Sequence, residues 1–289
     1  MRKYLPAIIL LLSSLNCLAQ GDIGISYAAG VPLQTLAKHT QVAHQAVFSG
    51  NFRLPVKKHP YFFAGFEFGI GNYANKTIEQ TFTFSDGSTT LTDVRYNSNI
   101  GYANAVFRYD IPFKGRVVPY VNLKGGVTGL FTGIYVEDPK NPGGCEALDK
   151  STAFKDATMT YTYGGGFRIN LSKQLNGRHS YLLDLGVNNT RGGTVDYLNV
   201  KDLGSHDHST MGGTDPDGGK PLTTKFINVN TQNIHEHQLA EIYSSPVRLL
   251  QINLGLFIKF NPEGVKSTKK AKQPKAKQHH SPCHAWRLG

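Results

Sequence analysis

Cysteine is scarce in this chain: Cys17, Cys145 and Cys283 are the three in 289 residues. They are far apart, and Cys17 falls in an N-terminal segment read below as cleaved, so no disulfide framework is encoded. Charged residues are 18% of the chain, below the roughly 25% usual for soluble domains. After that N-terminal segment no apolar run approaches about 18 residues, which excludes a membrane-spanning helix. Nucleophile and nucleotide motifs are lacking too. There is no G-x-S-x-G. The stretch 213–221 fails as a phosphate-binding loop, because its first glycine position falls on Thr214 and Pro221 stands where Ser or Thr is needed. Asp215 and Asp217 followed by Gly218 are too short a run for a calcium loop and read as a turn. Gly164, Gly165 and Gly166 precede no helix, so a dinucleotide site is excluded.

What the chain has instead is 31 glycines, 11% aromatics and a net charge of +11. The first two lean toward all-β architecture. The third invites a nucleic-acid reading, and its placement answers it. Residues 1–20 carry +2, residues 261–289 carry +6, and the 240 residues between them carry +3. The N-terminus reads as a secretory signal over 1–19: Arg2 and Lys3, an apolar run from Leu5 to Leu12, then Cys17 and Ala19 as small residues before cleavage at Gln20. The tail, 261–289, spaces lysines through Ser, Gln and Pro and reads as a disordered periplasmic segment. Its expected contacts are anionic lipid or cell wall rather than nucleic acid.

Between them the period is two. Eight segments alternate, at about 21–29, 42–54, 61–71, 99–111, 118–131, 159–171, 181–188 and 247–260. Most run to the roughly 9–11 residues a tilted transmembrane strand needs, not the about 5–6 of an ordinary strand. One face carries residues such as Phe48, Phe68, Phe107, Leu123, Tyr163, Leu185 and Leu254. The other carries the charges: Arg53, Glu67, Arg108, Asp110, Lys124, Arg168, Asp184 and Lys259. Because only alternate residues face lipid, the mean hydropathy of −0.30 is compatible with a membrane barrel.

The connections alternate as well. Three are short, at 55–60, 112–117 and 172–180, and hold Lys57, Lys58, Lys114, Arg116, Lys173 and Arg178 with no acid. Four are longer, at about 12, 27, 27 and 58 residues, and hold 10 basic and 15 acidic residues. Tight turns on one side and long loops on the other are the pattern of an up-and-down membrane barrel. Segments 77–84 and 89–96 flank Ser85, Asp86 and Gly87 and predict a ribbon protruding beyond strands three and four. Segments 194–200 and 223–230 predict the same for strands seven and eight. Counting these two as spanning gives a ten-strand alternative.

In lipid a sheet must close on itself. An eight-stranded lumen is narrow enough to be filled by side chains, so its mixed charges predict a plugged polar network: Arg53, Glu67, Arg108, Asp110, Lys124, Arg168 and Asp184. Tyr27, Tyr61, Tyr73, Tyr102, Phe113, Tyr161, Tyr181 and Phe260 are expected as aromatic girdles. The leader, the alternating strands, the short even links and the last strand, LLQINLGLFIKF ending on Phe260, resemble small bacterial outer-membrane β-barrels over about residues 21–260. The PorT-like outer-membrane barrel-domain family is the one this pattern resembles. The resemblance implies a Gram-negative outer membrane with the loops outside. It implies lipid and lipopolysaccharide around the barrel, and Phe260 as the signal read by the barrel-assembly machinery. It departs in one respect: 29 residues follow the terminal aromatic.

Competing chemistry is thin, and no cofactor is expected. His206 with His208, and His235 with His237, form two His-x-His pairs that could ligate a transition metal, against a solvated polar loop. His279, His280, Cys283 and His284 lack an ordered framework for zinc. His44 has lipid-facing parity near the outer rim, the position a lipid-modifying barrel enzyme would use; an interfacial histidine is the simpler reading. The expected function is a non-enzymatic barrel with structural, adhesive or assembly work done by its loops. The alternatives are an outer-leaflet lipid-modifying enzyme and a secreted ligand-binding barrel.

Overall fold

The computed structural model describes residues 21–56, 61–84, 87, 89–113, 115–140, 145–171, 179–201, 203 and 219–260. The leader, the tail, His206, His208 and the tail histidines therefore lie outside the described residues. Among the described residues, ten strands and one short helix follow in order: β1 (Gly21–Pro32), α1 (Thr35–His39), β2 (Ala43–Arg53), β3 (Phe62–Thr83), β4 (Thr89–Asp110), β5 (Val117–Val136), β6 (Cys145–Ala147), β7 (Ser151–Asn170), β8 (His179–Leu198), β9 (Lys220–Asn228) and β10 (Ile234–Phe260). Eight of the strands close a ring in the order β1-β2-β3-β4-β5-β7-β8-β10. The seam is β10 on β1, from Asp22↔Lys259 to Pro32↔Leu249. The fold is an all-β, eight-stranded, antiparallel up-and-down barrel.

The ten-strand alternative is thereby corrected. The sheet does contain ten strands, but β9 and β6 stand outside the ring, β9 on the extension of β10 and β6 on β9. Residues 194–198 continue β8 and pair with 242–246 of β10, not with 223–230, which belong mostly to β9. Strand β10 starts at Ile234, 13 residues before the expected 247. Two irregularities, at Gln238/Ala240 and at Pro246/Arg248, interrupt the register, so no single period of two runs through this stretch. The ribbon of β3 and β4 forms as expected, paired to Thr83↔Thr89.

Side-chain parity divides the barrel into two zones. The end with the short links is the turn end; the opposite one is the loop end. In β4, the turn-end half points Tyr109, Phe107 and Ala105 outward and buries Arg108. The loop-end half points Asn99, Asn97, Arg95 and Asp93 outward and buries Ile100, Tyr96 and Val94. The backbone alternation is unbroken; what inverts is which face is apolar. In β3 the inversion coincides with a bulge between Asn72 and Ala74, which moves the inward parity from odd residues (Phe63, Glu67) to even ones (Ala74, Gln80, Phe82).

The loop-end zone has its own apolar core. Phe82, Val94, Tyr96, Ile134, Val195, Tyr197, Phe226, Leu239 and Val247 are buried together. Helix α1 drops Leu36 into it at 2% exposure. The helix is tied to the end of β8 by Val200 N–H donating to the His39 carbonyl at 3.0 Å and by Lys201 Nζ donating to the Ala37 carbonyl at 2.5 Å. The chain after β5 runs along β4, with Glu137 N–H on the Asp93 carbonyl and Lys140 N–H on that of Leu91, both 2.9 Å. Strand β6 then hands the pairing to β9. Cys145 is buried at this join, its N–H donating to Thr90 Oγ1 at 2.5 Å.

Two of the expected girdle tyrosines are inside instead. Tyr73 sits in the loop-end core at 3% exposure, and Tyr102 fills the lumen at 9%. Tyr102 lies close over Gly69 of β3: a Cβ on that glycine would stand 2.3 Å from Tyr102 Cζ, so only glycine admits the ring. Tyr27, Tyr61, Phe113, Tyr161 and Tyr181 do face outward. One charge breaks the rule that charges take the polar face: Arg248 shares the outward parity of Leu250 and Ile252.

Candidate functional site in the lumen

The turn-end lumen is built around Asp22, a residue that strand alternation places inward and that the expected charge network omitted. It is 1% exposed. Arg168 Nη1 donates to Asp22 Oδ2 at 2.6 Å and Nη2 to Oδ1 at 3.2 Å. Arg108 Nη2 reaches Asp22 Oδ2 at 2.9 Å, and Asn51 Nδ2 reaches Oδ1 at 2.9 Å. Strands β2, β4 and β7 thus converge on one carboxylate of β1. Arg108 Nε also donates to Asp110 Oδ1 at 2.8 Å. Arg168 Nε lies 3.4 Å from Asp184 Oδ1, an ion-pair distance, and Tyr120 OH donates to Asp184 Oδ2 at 3.2 Å. The guanidinium faces are covered as well, Arg108 by Phe63 at 4.5 Å and Arg168 by Phe257 at 4.6 Å.

Lys124 and Glu67 form a second, separate pair across the lumen, with Nζ at 2.7 Å from both carboxylate oxygens. Further toward the loop end the fillers are neutral. Gln251 Nε2 donates to Gln45 Oε1 at 3.3 Å, and Thr190 Oγ1 donates to Gln251 Oε1 at 3.2 Å. Threonine pairs follow: Thr162 with Thr190 at 2.8 Å and Thr128 with Thr160 at 2.9 Å. The apolar core begins beyond them.

Of the seven residues expected in the charge network, six are therefore brought together, in two clusters: Arg108, Asp110, Arg168 and Asp184 around Asp22, and Glu67 with Lys124. Arg53 is half-buried and ends β2 at the turn-end rim. Asp22 was legible in the sequence, since alternation gives it the same face as Ser26 and Ala28; what alternation does not give is which inward charges meet across the lumen. A polar space of about 30 Å³ remains between Glu67, Asn122, Lys124, Asp184 and Asn253. That is room for about one or two waters rather than a conduction path.

The described histidine pair packs against an aromatic side chain. His237 stands edge-on to Phe84 with ring centroids 4.6 Å apart, and His235 meets Phe84 at 4.9 Å. Burial and the neighbouring His235 lower the pKa of His237 from its ordinary 6.5. Among the described residues no cluster of three potential metal ligands occurs. His44 is on the outer face, and its Nδ1 lies 2.5 Å from Tyr27 OH. Phe260 closes β10 opposite His179.

No family model matches the sequence, and no curated protein is significantly similar to it. Among solved structures, the fold is similar to a major outer membrane protein from Thermus thermophilus. The identity is 10%, with 83% of this chain and 99% of that one covered at a TM-score of 0.42. It is also similar to Ail, the attachment invasion locus protein of Yersinia pestis, solved with the heparin analogue sucrose octasulfate. There the identity is 10%, coverage 83% and 97%, and the TM-score 0.33.

Proposed function

We propose that this chain is an integral outer-membrane β-barrel with a plugged lumen, related in kind to the PorT-like barrel-domain proteins. In this reading the turn end is periplasmic and the capped loop end extracellular. The loop end does the protein's work, which is structural, adhesive or assembly-related rather than catalytic. The barrel-assembly machinery reads Phe260, and lipid with lipopolysaccharide surrounds the wall. The observation that carries the reading is the inversion of polarity along β4. A wall apolar outside and charged inside, becoming polar outside and apolar inside within one continuous strand, is what crossing from lipid to water demands.

A secreted ligand-binding barrel would be polar outside along its whole length. Here Ile25, Phe68, Ile70, Leu123, Met159 and Leu256 are each more than half exposed. A lipid-modifying enzyme draws no support from His44, whose ring nitrogen is engaged by a tyrosine hydroxyl. The test is cell fractionation with gel mobility. The chain is expected in the outer-membrane fraction, with a folded band whose mobility shifts on heating; recovery as a soluble periplasmic protein overturns the reading.

A further inference from the structure

The outer wall carries a pair of like charges where the apolar surface ends. Strands β8 and β10 pair their outward residues in rows: Tyr181↔Ile258, Leu183↔Leu256, Leu185↔Leu254, Val187↔Ile252 and Asn189↔Leu250. The next row is Arg191↔Arg248. Two arginines directly opposite each other on one face repel. Arg191 Nε donates to Asn189 Oδ1 at 3.2 Å, and its guanidinium stands 5.8 Å from the Tyr163 ring. Among the described residues neither arginine is in an ion pair. The carboxylates beyond the bulge are engaged elsewhere: Asp156 accepts the Asp196 and Ala157 N–H groups, and Asp196 accepts from the Ser244 hydroxyl.

The height of the pair is informative. From Tyr181 to Arg191 is ten residues, about 34 Å along a strand, or roughly 24–28 Å of height at a tilt of 35–45°. That is the thickness of the apolar band of an outer-membrane barrel, about 25 Å. The two guanidiniums therefore stand where the polar headgroups of the outer leaflet begin. Guanidinium forks match phosphate oxygens two at a time, as an ammonium does not. Below Arg248 on the same strand, Leu254 and Leu256 line a shallow apolar groove of about 1010 Å³ with Ile25, Ala46, Phe48 and Ile70.

From this juxtaposition we infer that Arg191 and Arg248 form a binding site for the phosphate of an outer-leaflet lipid, whose acyl chains lie on the apolar wall beneath. The inference rests on the outer-membrane reading above. A bridging phosphate converts the repulsive pair into a clamp joining β8 to β10 next to the β1–β10 seam.

The test uses the full chain folded in neutral detergent. It is titrated with monophosphoryl lipid A, with the same glycolipid after removal of its phosphate, and with inorganic phosphate, and bound lipid is counted by native mass spectrometry. The Arg191→Gln/Arg248→Gln double variant is expected to bind the phosphorylated lipid about thirtyfold more weakly than the wild type, from the loss of two cationic contacts at a lipid surface. The dephosphorylated lipid should bind both proteins equally weakly. Should the double variant not fold, each single variant, expected about fivefold weaker, carries the same comparison. Equal affinity of wild type and variants for the phosphorylated lipid overturns the site. Inorganic phosphate binding as tightly as the lipid overturns the lipid assignment. Fractionation of the wild type is scored separately. A protein that resides in the outer membrane but is indifferent to both arginines refutes only this site, whereas a soluble protein refutes the barrel reading itself.

Discussion

Arg168 holds Asp22 through both of its terminal nitrogens, at 2.6 and 3.2 Å, across the lumen from β7 to β1. The two strands are not neighbours; β8 and β10 stand between them in the ring. The ion pair is therefore a strut across the barrel rather than a rung along its wall. It stands beside the β1–β10 seam, where the first and last strands of the ring must find each other. Its geometry is two-pronged, and Arg108 and Asn51 satisfy the remaining oxygen capacity. That is the condition under which a buried ion pair repays the loss of its hydration.

Asp22→Ala should accordingly be severe. It leaves two buried guanidiniums without their shared counter-charge, and breaking a buried pair in this way typically costs about 3–5 kcal/mol. Urea unfolding in detergent, followed by the folded and unfolded gel bands, measures it. A loss below about 1 kcal/mol, the range of an exposed pair, would show that Asp110 and Asp184 suffice to neutralise the arginines.

The Glu67–Lys124 pair makes the opposite point. Removing one partner, as in Glu67→Leu, should destabilise by a comparable amount. The double change Glu67→Leu/Lys124→Met should recover most of the loss, because apolar replacements of similar volume fill the same space without a desolvated charge. The coupling energy from the double-mutant cycle is the observable, and strictly additive losses would contradict this account.

Depth along the wall gives a third expectation. Leu254→Arg places a charge at mid-height of the apolar band and should cost about 2–4 kcal/mol of folding stability in vesicles. Thr81→Arg, on the outward face of β3 beyond the inversion, should lie within about 0.5 kcal/mol of the wild type. If the two substitutions prove equally mild, lipid does not cover that band.

The loop-end cap should respond to pH through His237. Burial and the nearby His235 lower its pKa in the folded state below the ordinary 6.5, and Phe84 packs edge-on against its ring. A histidine so shifted favours the fold while neutral, and that contribution is lost as pH falls from the unfolded value through the folded one. Amide exchange in the hairpin of β9 and β10, corrected for its intrinsic pH dependence, should therefore accelerate as the pH falls below the ordinary 6.5. His237→Phe should abolish the acceleration. A cap whose exchange rises equally in the variant owes its pH response to other groups.

Much of the barrel is legible in the sequence. Phe48, Phe68, Phe107, Leu123 and Leu254 declare their outward face by a period of two, because in a spanning strand lipid and lumen alternate at every residue. Glu67, Arg108, Lys124, Arg168 and Asp184 declare the inward face for the same reason. The reading fails where that period breaks. Irregularities at Tyr73 in β3, Leu239 in β10 and Gly192–Gly193 in β8 interrupt the register, and the true extents of β8, β9 and β10 are hidden there. Tyr73 and Tyr102 are expected at the membrane interface because a tyrosine near a strand end resembles a girdle residue. Both are buried inside the barrel, and only Gly69 opposite Tyr102 makes room for that ring.

By itself the sequence determined the face that the spanning segments present and the sign of the charges inside, since these depend on local alternation; between eight strands and ten the ring itself decided. Only the tertiary structure decided the partners. That Asp22 answers Arg108 and Arg168, that Lys124 takes Glu67, and that Arg191 stands opposite Arg248 all follow from the ring's register and stagger. Those are set when the first and last strands meet, and no local pattern in the chain encodes the meeting.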